Sequence, residues 1–286
     1  MKAEIEVLQP GLFSTIQDLG RFGYQKYGVP QSGVMDRYAM RLCNLILGNP
    51  QEASVLEITF QGPQLKFMES ATICISGADL SASLNSSPVE LNEILKVSAG
   101  DILKFGKRRS GFRAYLGIGG GFQSEELMGS QSWYEGLTED FRLKKGMNLY
   151  FQNTGVKDAE TYSHLKIDRD YLQATEIGAY PGPEFGELAR EQQKSIFGNL
   201  FKTDRSSNRM AVQLEEDMEN QLKPITTGPV IPGTVQLTPS GKLIVLMKDC
   251  QTTGGYPRVL QLSEKGQQIL AQKMPGEKIS FRKLDY

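Results

Sequence analysis

The chain has 286 residues, of which 39% are apolar and 23% are charged, a balance typical of a globular protein and not of a disordered or fibrous one. Its 32 basic and 33 acidic side chains give a formal net charge of −1. The sequence therefore lacks the basic field that sequence-independent binding to nucleic acid requires. Its length corresponds to roughly two domains of ~150 residues.

Short apolar runs, separated by Gly, Pro, Asn or Ser, predict a mainly β fold with few helices. The runs of strand length are Leu65–Phe67, Thr72–Ile75, Ile94–Val97, Ile102–Phe105, Arg113–Ile118 and Leu243–Met247. A pattern Gly-x-x-(Leu/Ile)-x-Phe occurs three times, at Gly100–Phe105, Gly146–Phe151 and Gly276–Phe281. Its glycine suits a turn with positive φ, and its two apolar residues would share one strand face. We expect one kind of hairpin entry, repeated in barrel-like sheets.

Three stretches have helical periodicity. Val34–Leu47 carries one apolar face, and Ser32 is the expected residue that caps its start. Glu184–Phe201 and Ser263–Lys273 are the other two predicted helices, and the second of them stops before a Pro-Gly pair.

A polar, aperiodic stretch between Asn153 and Asp170 predicts a linker. We therefore expect two domains, residues 1–155 and 156–286. The single histidine, His164, falls in this stretch and is interpreted as a surface or linker residue.

The cysteines predict neither a disulfide framework nor a zinc site. Cys43, Cys74 and Cys250 are odd in number and far apart, and only one histidine accompanies them. No signal-like apolar region follows the first residues, and no apolar run is long enough to cross a bilayer. With free thiols, these features predict a cytoplasmic protein without a membrane segment.

Common cofactor motifs are absent from the sequence. It contains no P-loop, and the nearest approach to a dinucleotide-binding motif, Gly117–Gly121, reads better as a tight bend than as an anion cradle. Ala271–Met274 partly matches a biotin attachment site. Lys273 ends a predicted helix there, so we expect no covalently attached biotin.

Three polar, glycine-rich strings are the most informative part of the sequence. The first covers residues 17–36, the second is Ser76–Asp79, and the third is Asp249–Pro257. Glycine lets the backbone approach a ligand, and carboxylates beside arginine can bind a ligand or exchange protons with it. Structural turns are the alternative: Asp36 could offset a helix dipole, and Arg21 could pair with Asp18 on the surface.

These strings, in this order, resemble the carboxyltransferase-type family that contains the C subunit of bacterial ATP-dependent 5-oxoprolinase. The family also contains KipA, an antagonist of a sporulation kinase inhibitor, and the C-terminal part of the urea carboxylase carboxyltransferase domain. The matching segments run from Ile5 to Pro257 and include Pro181–Pro183 and Pro232–Gln236. The resemblance implies two cyclophilin-like β-barrel domains in one chain.

The resemblance also implies an activity. The C subunit would act with a KipI-like B subunit to phosphorylate the lactam oxygen of 5-oxoproline, using ATP with Mg²⁺, and the A subunit would complete ring opening to glutamate. A lactam is a poor electrophile, and phosphorylation creates a leaving group whose charge the site must stabilise. We expect the chain to be inactive alone. Two alternatives stay open: a biotin-dependent carboxyltransferase for urea-like or amide acceptors, and a KipA-like regulatory protein that sequesters a kinase inhibitor.

The resemblance carries the candidate site residues. The proposed acid/base or substrate-contacting residues are Asp36, Asp79, Asp249 and Tyr256. The proposed substrate- or nucleotide-binding residues are Asp18, Arg21, Gln31, Ser32, Gly77, Arg209, Gln236, Gln251, Thr253, Gly254 and Trp133, and no metal ligand is proposed. Arg21 and Arg209 would contact anions.

The sequence departs from the family where relatives read Gly-Ser-Arg-Ser-Thr. This chain has Gln131 in place of the arginine and Trp133 in place of the threonine. Trp133 is predicted to form a wall of the substrate pocket; the alternative is a buried barrel residue.

Overall fold

The computed structural model describes residues 2–153 and 167–285. The chain divides into two units, one made of residues 1–21 and 32–172 and the other of residues 22–31 and 173–286. Both units are built mainly of strands, so the mainly β class with few helices is confirmed. The predicted boundary between residues 155 and 156 lies outside the described residues, as does His164.

The first unit contains one α-helix, α1 (Arg37–Leu47), and twelve strands in its described part. The strands are β1 (Lys2–Gln9), β2 (Phe13–Gln17), β3 (Val55–Thr59), β4 (Gln64–Phe67), β5 (Ala71–Asp79), β6 (Ser83–Leu84), β7 (Ser87–Pro88), β8 (Leu95–Val97), β9 (Ile102–Lys104), β10 (Ser110–Ile118), β11 (Phe122–Gln123) and β12 (Asn148–Gln152). They form a seven-stranded sheet, ordered β11-β12-β1-β4-β9-β6-β7, and a five-stranded sheet, ordered β2-β3-β10-β5-β8.

The five-stranded sheet is buried on both faces. On one face, Ala114 and Leu116 of β10 join a core that also includes side chains of the seven-stranded sheet. On the other face, Tyr115 packs with Cys43 and other buried residues of α1. Successive residues of a strand point to opposite faces, which explains why β10 reads as one continuous apolar run.

Helix α1 begins three residues later than predicted. Asp36, and not Ser32, caps it: the Asp36 carboxylate accepts a hydrogen bond from the Ala39 N–H at 3.1 Å. Ser32 instead lies in a left-handed backbone conformation, with φ of 56°. The Asp36 carboxylate thus satisfies an N–H at the positive end of the helix and offsets the helix dipole, as the structural alternative predicted.

The second unit contains helices α2 (Arg190–Gly198) and α3 (Glu264–Ala271). Its strands are β13 (Glu176–Pro181), β14 (Phe201–Lys202), β15 (Ala211–Asp217), β16 (Gly228–Pro229), β17 (Thr234–Leu237), β18 (Lys242–Leu246), β19 (Thr253–Gly254), β20 (Arg258–Leu262) and β21 (Lys278–Lys283). Seven of them form one sheet, ordered β14-β21-β13-β20-β17-β18-β15, and β16 pairs with β19.

Helix α2 is shorter than predicted. Phe185–Glu187 forms a separate 3-10 turn before it, and Phe201 belongs to β14. The predicted stretch contains Gly186, which lies in that 3-10 turn, and Gly198, which is the last residue of α2. Glycine has a poor helix propensity, which explains why the regular helix does not extend past either residue. Helix α3 has Ser263 as its N-cap, with the hydroxyl accepting from the Gly266 N–H at 3.0 Å.

The repeated glycine pattern is confirmed as a turn followed by a strand. Gly100, Gly146 and Gly276 have φ of 91°, 78° and 87°, and in each copy the strand begins two residues after the glycine. In the last copy, Ile279 and Phe281 are both buried on one face of β21.

The glycine cluster after β10 forms a bend. The N–H groups of Gly119, Gly120 and Gly121 donate to protein oxygens of Thr72, Asn49 and Ile118, so the cradle interpretation is wrong here. Among the described residues, no helix has both the length and the apolar character needed to cross a membrane.

Candidate functional site

Asp18, the acidic residue of the first string, holds a distant loop in place. Its Oδ1 accepts hydrogen bonds from Ser130 Oγ and Ser132 Oγ, each at 2.6 Å, and from the Gly20 N–H at 2.7 Å. Its Oδ2 accepts the Gln131 N–H at 2.7 Å. A carboxylate that already accepts four hydrogen bonds has little capacity left for a ligand.

Arg21 and Ser32, two further members of the first string, are completely buried. The Arg21 guanidinium donates to the carbonyl oxygen of Ser132. Ser32 combines a left-handed backbone with a buried hydroxyl that has no hydrogen-bond partner among the described residues. Because Arg21 is closed off from solvent, the role that the structure shows for it is to hold the Ser130–Ser132 loop.

Asp36 belongs to a buried network under α1. Besides capping the helix, its Oδ2 accepts the Tyr171 hydroxyl at 2.7 Å, and its own N–H donates to Tyr115 Oη at 2.9 Å. Tyr115 in turn donates to Glu57 Oε2 at 2.9 Å. Burial and the neighbouring carboxylates raise the pKa of Tyr115 and Tyr171 well above the usual value, so both phenols stay protonated.

The second string forms a bulge and a turn. Gly77 has φ of 77°, and a Cβ there would lie 2.6 Å from the Arg113 carbonyl oxygen, so only glycine fits. Asp79 accepts the Ser81 N–H at 2.8 Å and lies 3.8 Å from the exposed Arg109 guanidinium. In the part of the chain that the structure describes, Asp79 does not contact Asp18 or Asp36.

The third string belongs to the second unit, and hydrogen bonds of its backbone hold it in place. Backbone hydrogen bonds attach its residues 252–257 to neighbouring segments, and β19 within it pairs with β16. Gln236 Nε2 donates to the Tyr256 carbonyl oxygen at 3.3 Å, and a Cβ at Gly254 would lie 2.5 Å from that amide nitrogen. The backbone contacts are Val230 N to Thr252 O, Ile225 N to Gly255 O and Leu237 N to Pro257 O.

Asp249 and Arg209, both proposed from the sequence, are brought together. Arg209 Nε lies 2.7 Å from Asp249 Oδ2, and Nη2 lies 3.0 Å from Oδ1, a bidentate pair. The two side chains are only 7% and 15% exposed. This geometry commits the Arg209 charge to Asp249 and favours a structural role for both residues.

The rest of the third string presents hydrogen-bonding groups to solvent. Gln251, Thr253 and Tyr256 are exposed within six positions, with Gly254 between them. They supply an amide, a hydroxyl and a phenol, which are groups that hydrogen-bond a small polar amide or lactam. Gln31 lies in the part of the first string that belongs to the second unit, and it is half-buried.

Sequence reasoning missed a second ion pair in this unit. Arg258 Nε and Nη2 lie 3.0 and 2.7 Å from the two Glu184 oxygens, and Nη1 donates to the Pro229 carbonyl at 3.1 Å. Arg258 thereby attaches the loop after β13 and strand β16 to β20. The only sequence signal is position: Glu184 directly follows Pro181–Pro183 and Arg258 directly follows the third string, but no local pattern specifies that the two residues pair.

This pair has a clear electrostatic signature. Hydrogen bonding to Arg258 lowers the pKa of Glu184 below its usual value, and the same contact raises the pKa of Arg258.

Trp133 is buried, with 6% exposure, and belongs to the core of the first unit. Its indole N–H donates to Ser124 Oγ at 2.6 Å, and the ring also lines a surface cavity. Gln131, which replaces the family arginine, accepts a hydrogen bond from Ser54 Oγ at 2.8 Å. The tryptophan is therefore a core residue that reaches a cavity wall.

The described residues do not form a phosphate cradle of their own. Arg209 and Arg258 are bound to carboxylates of the same chain, and no group of three or more His, Cys, Asp or Glu is placed to hold a metal among the described residues. Burial raises the pKa of Cys250 to about 12, so it is a neutral thiol. Lys273 is only 6% exposed, whereas a biotinyl lysine must be reachable by the attaching enzyme.

Comparison with known proteins identifies relatives that align with nearly the whole chain. The C subunit of the 5-oxoprolinase of Escherichia coli (strain K12) is 31% identical over 288 aligned positions, which cover 97% of this chain and 90% of the relative. Urea amidolyase of Lachancea kluyveri is 30% identical, and the match covers 98% of this chain but 17% of the relative.

Solved structures share the fold over nearly the whole chain. The crystal structure of Kluyveromyces lactis urea amidolyase superposes with a TM-score of 0.89 at 29% identity, covering 99% of this chain and 19% of that one. TTHA0988 gives a TM-score of 0.86 at 26% identity, covering 98% of this chain and 56% of that one. The chain thus spans about half the length of TTHA0988.

A family profile accounts for most of the sequence. The profile described as "carboxyltransferase domain, subdomain A and B" matches residues 27–283. That match includes the third string, the Arg209–Asp249 pair and the Arg258–Glu184 pair. The chain belongs to the carboxyltransferase domain A and B family.

Proposed function

We propose that this chain is the C subunit of a multi-subunit, ATP-dependent 5-oxoprolinase. The observation that carries the proposal is the similarity to two C subunits along most of their length. The Escherichia coli C subunit is 31% identical and the Haemophilus influenzae C subunit is 30% identical, and each alignment covers 97% of this chain and 90% of the relative.

The reaction is phosphorylation of the lactam oxygen of 5-oxoproline, followed by ring opening to glutamate. Phosphorylation turns a poor leaving group into a good one, and the transferring phosphoryl charge must be stabilised by cations or N–H donors. ATP, with Mg²⁺, supplies the phosphoryl group.

Arg209 and Arg258, the two arginines beside the third string, support a shared site. Arg209 and Arg258 each form a bidentate contact with a carboxylate, so neither is available to a phosphate without breaking an ion pair. We therefore place most phosphate contacts on a KipI-like B subunit. The A subunit completes the hydrolysis. The chain alone is expected to be inactive.

The third string contributes the lactam contacts. Gln251, Thr253 and Tyr256 are exposed, while β19 and the Gln236 amide fix the backbone between them. A lactam presents one N–H and one carbonyl oxygen, which an amide and a phenol can pair with directly. Preorganised donors and acceptors of this kind position a small substrate at low entropic cost.

A carboxyltransferase acting on a urea-like or amide acceptor is the second candidate. The observation that favours it is the TM-score of 0.89 with Kluyveromyces lactis urea amidolyase. Such a reaction also needs a biotin carboxylase and a biotinylated carrier, and Lys273, in the partial match to a biotin attachment site, is buried.

One reconstitution separates the two candidates. The chain is mixed with the A and B subunits of 5-oxoprolinase, and ATP hydrolysis is measured with 5-oxoproline or urea. We expect hydrolysis that depends on 5-oxoproline and on all three proteins, and none from the chain alone. Stimulation by urea together with biotin carboxylase and a biotinylated carrier, without any response to 5-oxoproline, would favour the carboxyltransferase. Robust turnover by the chain alone would contradict the shared site.

A further inference from the structure

A cavity of about 320 Å³ opens in the first unit beside the only tryptophan of the chain. Its walls come from β2, from β11 with the residues after it, from the segment that begins at Trp133, and from β12. The volume is at the lower end of the range for small-molecule sites. All residues that line the cavity lie in the first unit, and none belongs to the three polar strings.

The aromatic wall of the cavity is rigid. Trp133 is held by its backbone N–H, which donates to the Ile16 carbonyl at 2.9 Å, and by its indole N–H, which donates to Ser124. Because the indole N–H is already satisfied, the ring offers a ligand only apolar and π surface. Phe122 lines the cavity from the core, and Tyr150, 37% exposed, lines it from β12.

The charge of the cavity has one sign. Glu125, Glu139 and Asp140 line it, and none of the described lining residues is lysine or arginine. Asp140 is partly offset by Lys144, whose ammonium lies 3.2 Å away and is exposed. Glu125 and Glu139 lie at the rim. A cavity lined by carboxylates attracts cations and repels anions.

We propose that this cavity binds a small organic ammonium ion carried on an apolar body. Aromatic rings attract a cation electrostatically, and the rim carboxylates add a charge contact. An anionic lactam such as 5-oxoproline, or a phosphate, does not suit this lining. The inference separates Trp133 from the substrate pocket in which the sequence placed it, and it is independent of the 5-oxoprolinase assignment.

Trp133 makes the proposal directly measurable. As the only tryptophan, it reports on the cavity in the purified chain without partner proteins. Three probes share a phenyl ring on a short polar tail and carry different charges: phenethylammonium is a cation, 2-phenylethanol is neutral and phenylacetate is an anion. We expect phenethylammonium to change the Trp133 emission saturably, with binding that weakens as salt is raised. Phenylacetate should bind at least about tenfold more weakly, a difference on the order of the charge contacts involved.

Two variants locate the charge contact. Glu125→Gln and Glu139→Gln should each weaken phenethylammonium binding about two- to fivefold, the range for an exposed ion pair. Glu126→Gln is the matched control, because Glu126 is adjacent in sequence and absent from the cavity lining. It should leave the affinity unchanged.

Calorimetry of the same titrations detects binding that leaves the emission unaltered. Equal affinity for phenylacetate and phenethylammonium would overturn the proposal. So would the absence of both heat and emission change with phenethylammonium, or equal losses in Glu126→Gln and Glu125→Gln.

Discussion

The first and third polar strings look alike in sequence, but the folded chain treats their polar side chains differently. Each contains glycines, aspartate and hydrogen-bonding side chains at or shortly after the end of a strand, which is β2 for the first string and β18 for the third. In the first unit, the Asp18 carboxylate is filled by four hydrogen bonds from its own chain. In the second unit, Asp249 is paired, but Gln251, Thr253 and Tyr256 remain exposed. The same composition thus builds a closed hydrogen-bonded cluster in one place and an open polar surface in the other.

The difference arises from partners that are remote along the chain. Ser130 is 112 positions from Asp18, and only the folded sheet brings them together. In the third string, residues 252–257 make their remote contacts through backbone atoms, and the side chains of Gln251, Thr253 and Tyr256 remain exposed. A polar string is therefore a functional candidate only when its side chains, and not merely its glycines, remain unsatisfied.

The largest effect is expected at the buried ion pair. Asp249→Asn leaves the Arg209 charge buried without a full counter-charge, and should lower the free energy of unfolding by about 3 kcal/mol. Urea denaturation measures this loss. Asp217→Asn, which removes an exposed partner of Lys242, is the control and should cost about 0.5 kcal/mol or less. Unchanged stability with a ~10²-fold loss of rate per folded molecule would instead make Asp249 a catalytic residue.

A smaller loss of stability is expected in the first string. Asp18→Asn keeps the shape but turns one acceptor into a donor that faces existing donors, so the loop at Ser130–Ser132 loses hydrogen bonds. We expect about 2 kcal/mol of destabilisation in urea denaturation, from the unsatisfied groups that remain. Normal stability combined with lost activity would place Asp18 among the substrate contacts. The first string would then be functional like the third, and the contrast between them would no longer hold.

In the third string, we expect a substitution to lower the rate of 5-oxoproline-dependent hydrolysis and to leave the stability of the chain nearly unchanged. Tyr256→Phe removes an exposed hydroxyl, so the stability of the chain should change by less than about 0.5 kcal/mol. If the phenol contacts the lactam, 5-oxoproline-dependent hydrolysis by the assembled enzyme should fall about tenfold. Tyr27→Phe, at a 70% exposed position of the 3-10 turn Gln25–Tyr27, is the matched control for phenol removal.

The smallest effect has a defined pH dependence. Glu184→Gln should lower stability by about 1 kcal/mol at pH 7, because the Arg258 contact favours the ionised carboxylate. Since the pKa of Glu184 is lowered on folding, this contribution is complete above the unfolded pKa of ~4.3 and is lost as the pH falls through the folded value. Denaturation at pH 7 and at about pH 3 should therefore show a gap between parent and variant that narrows in acid. A difference in unfolding free energy between parent and variant that grows in acid would contradict the lowered pKa of Glu184.

The sequence predicted the local features of this fold better than its long-range ones. The three copies of the glycine pattern and the strand content follow from local turn chemistry and alternation, and they were correct. The start of α1 was wrong, because both Ser32 and Asp36 are good caps and only the folded chain places Tyr115 and Tyr171 against Asp36. The pairing of Glu184 with Arg258 spans 74 positions, and nothing local specifies it.

The most direct test of the contrast compares two variants in one assay. ATP hydrolysis dependent on 5-oxoproline is measured per folded molecule, in complex with the A and B subunits, for Asp18→Asn and for the double variant Gln251→Ala/Tyr256→Phe. We predict near-parental rate for folded Asp18→Asn and a loss of about tenfold or more for the double variant, whose stability is unchanged. The reverse outcome, a lost rate in folded Asp18→Asn with a parental rate in the double variant, would contradict the account.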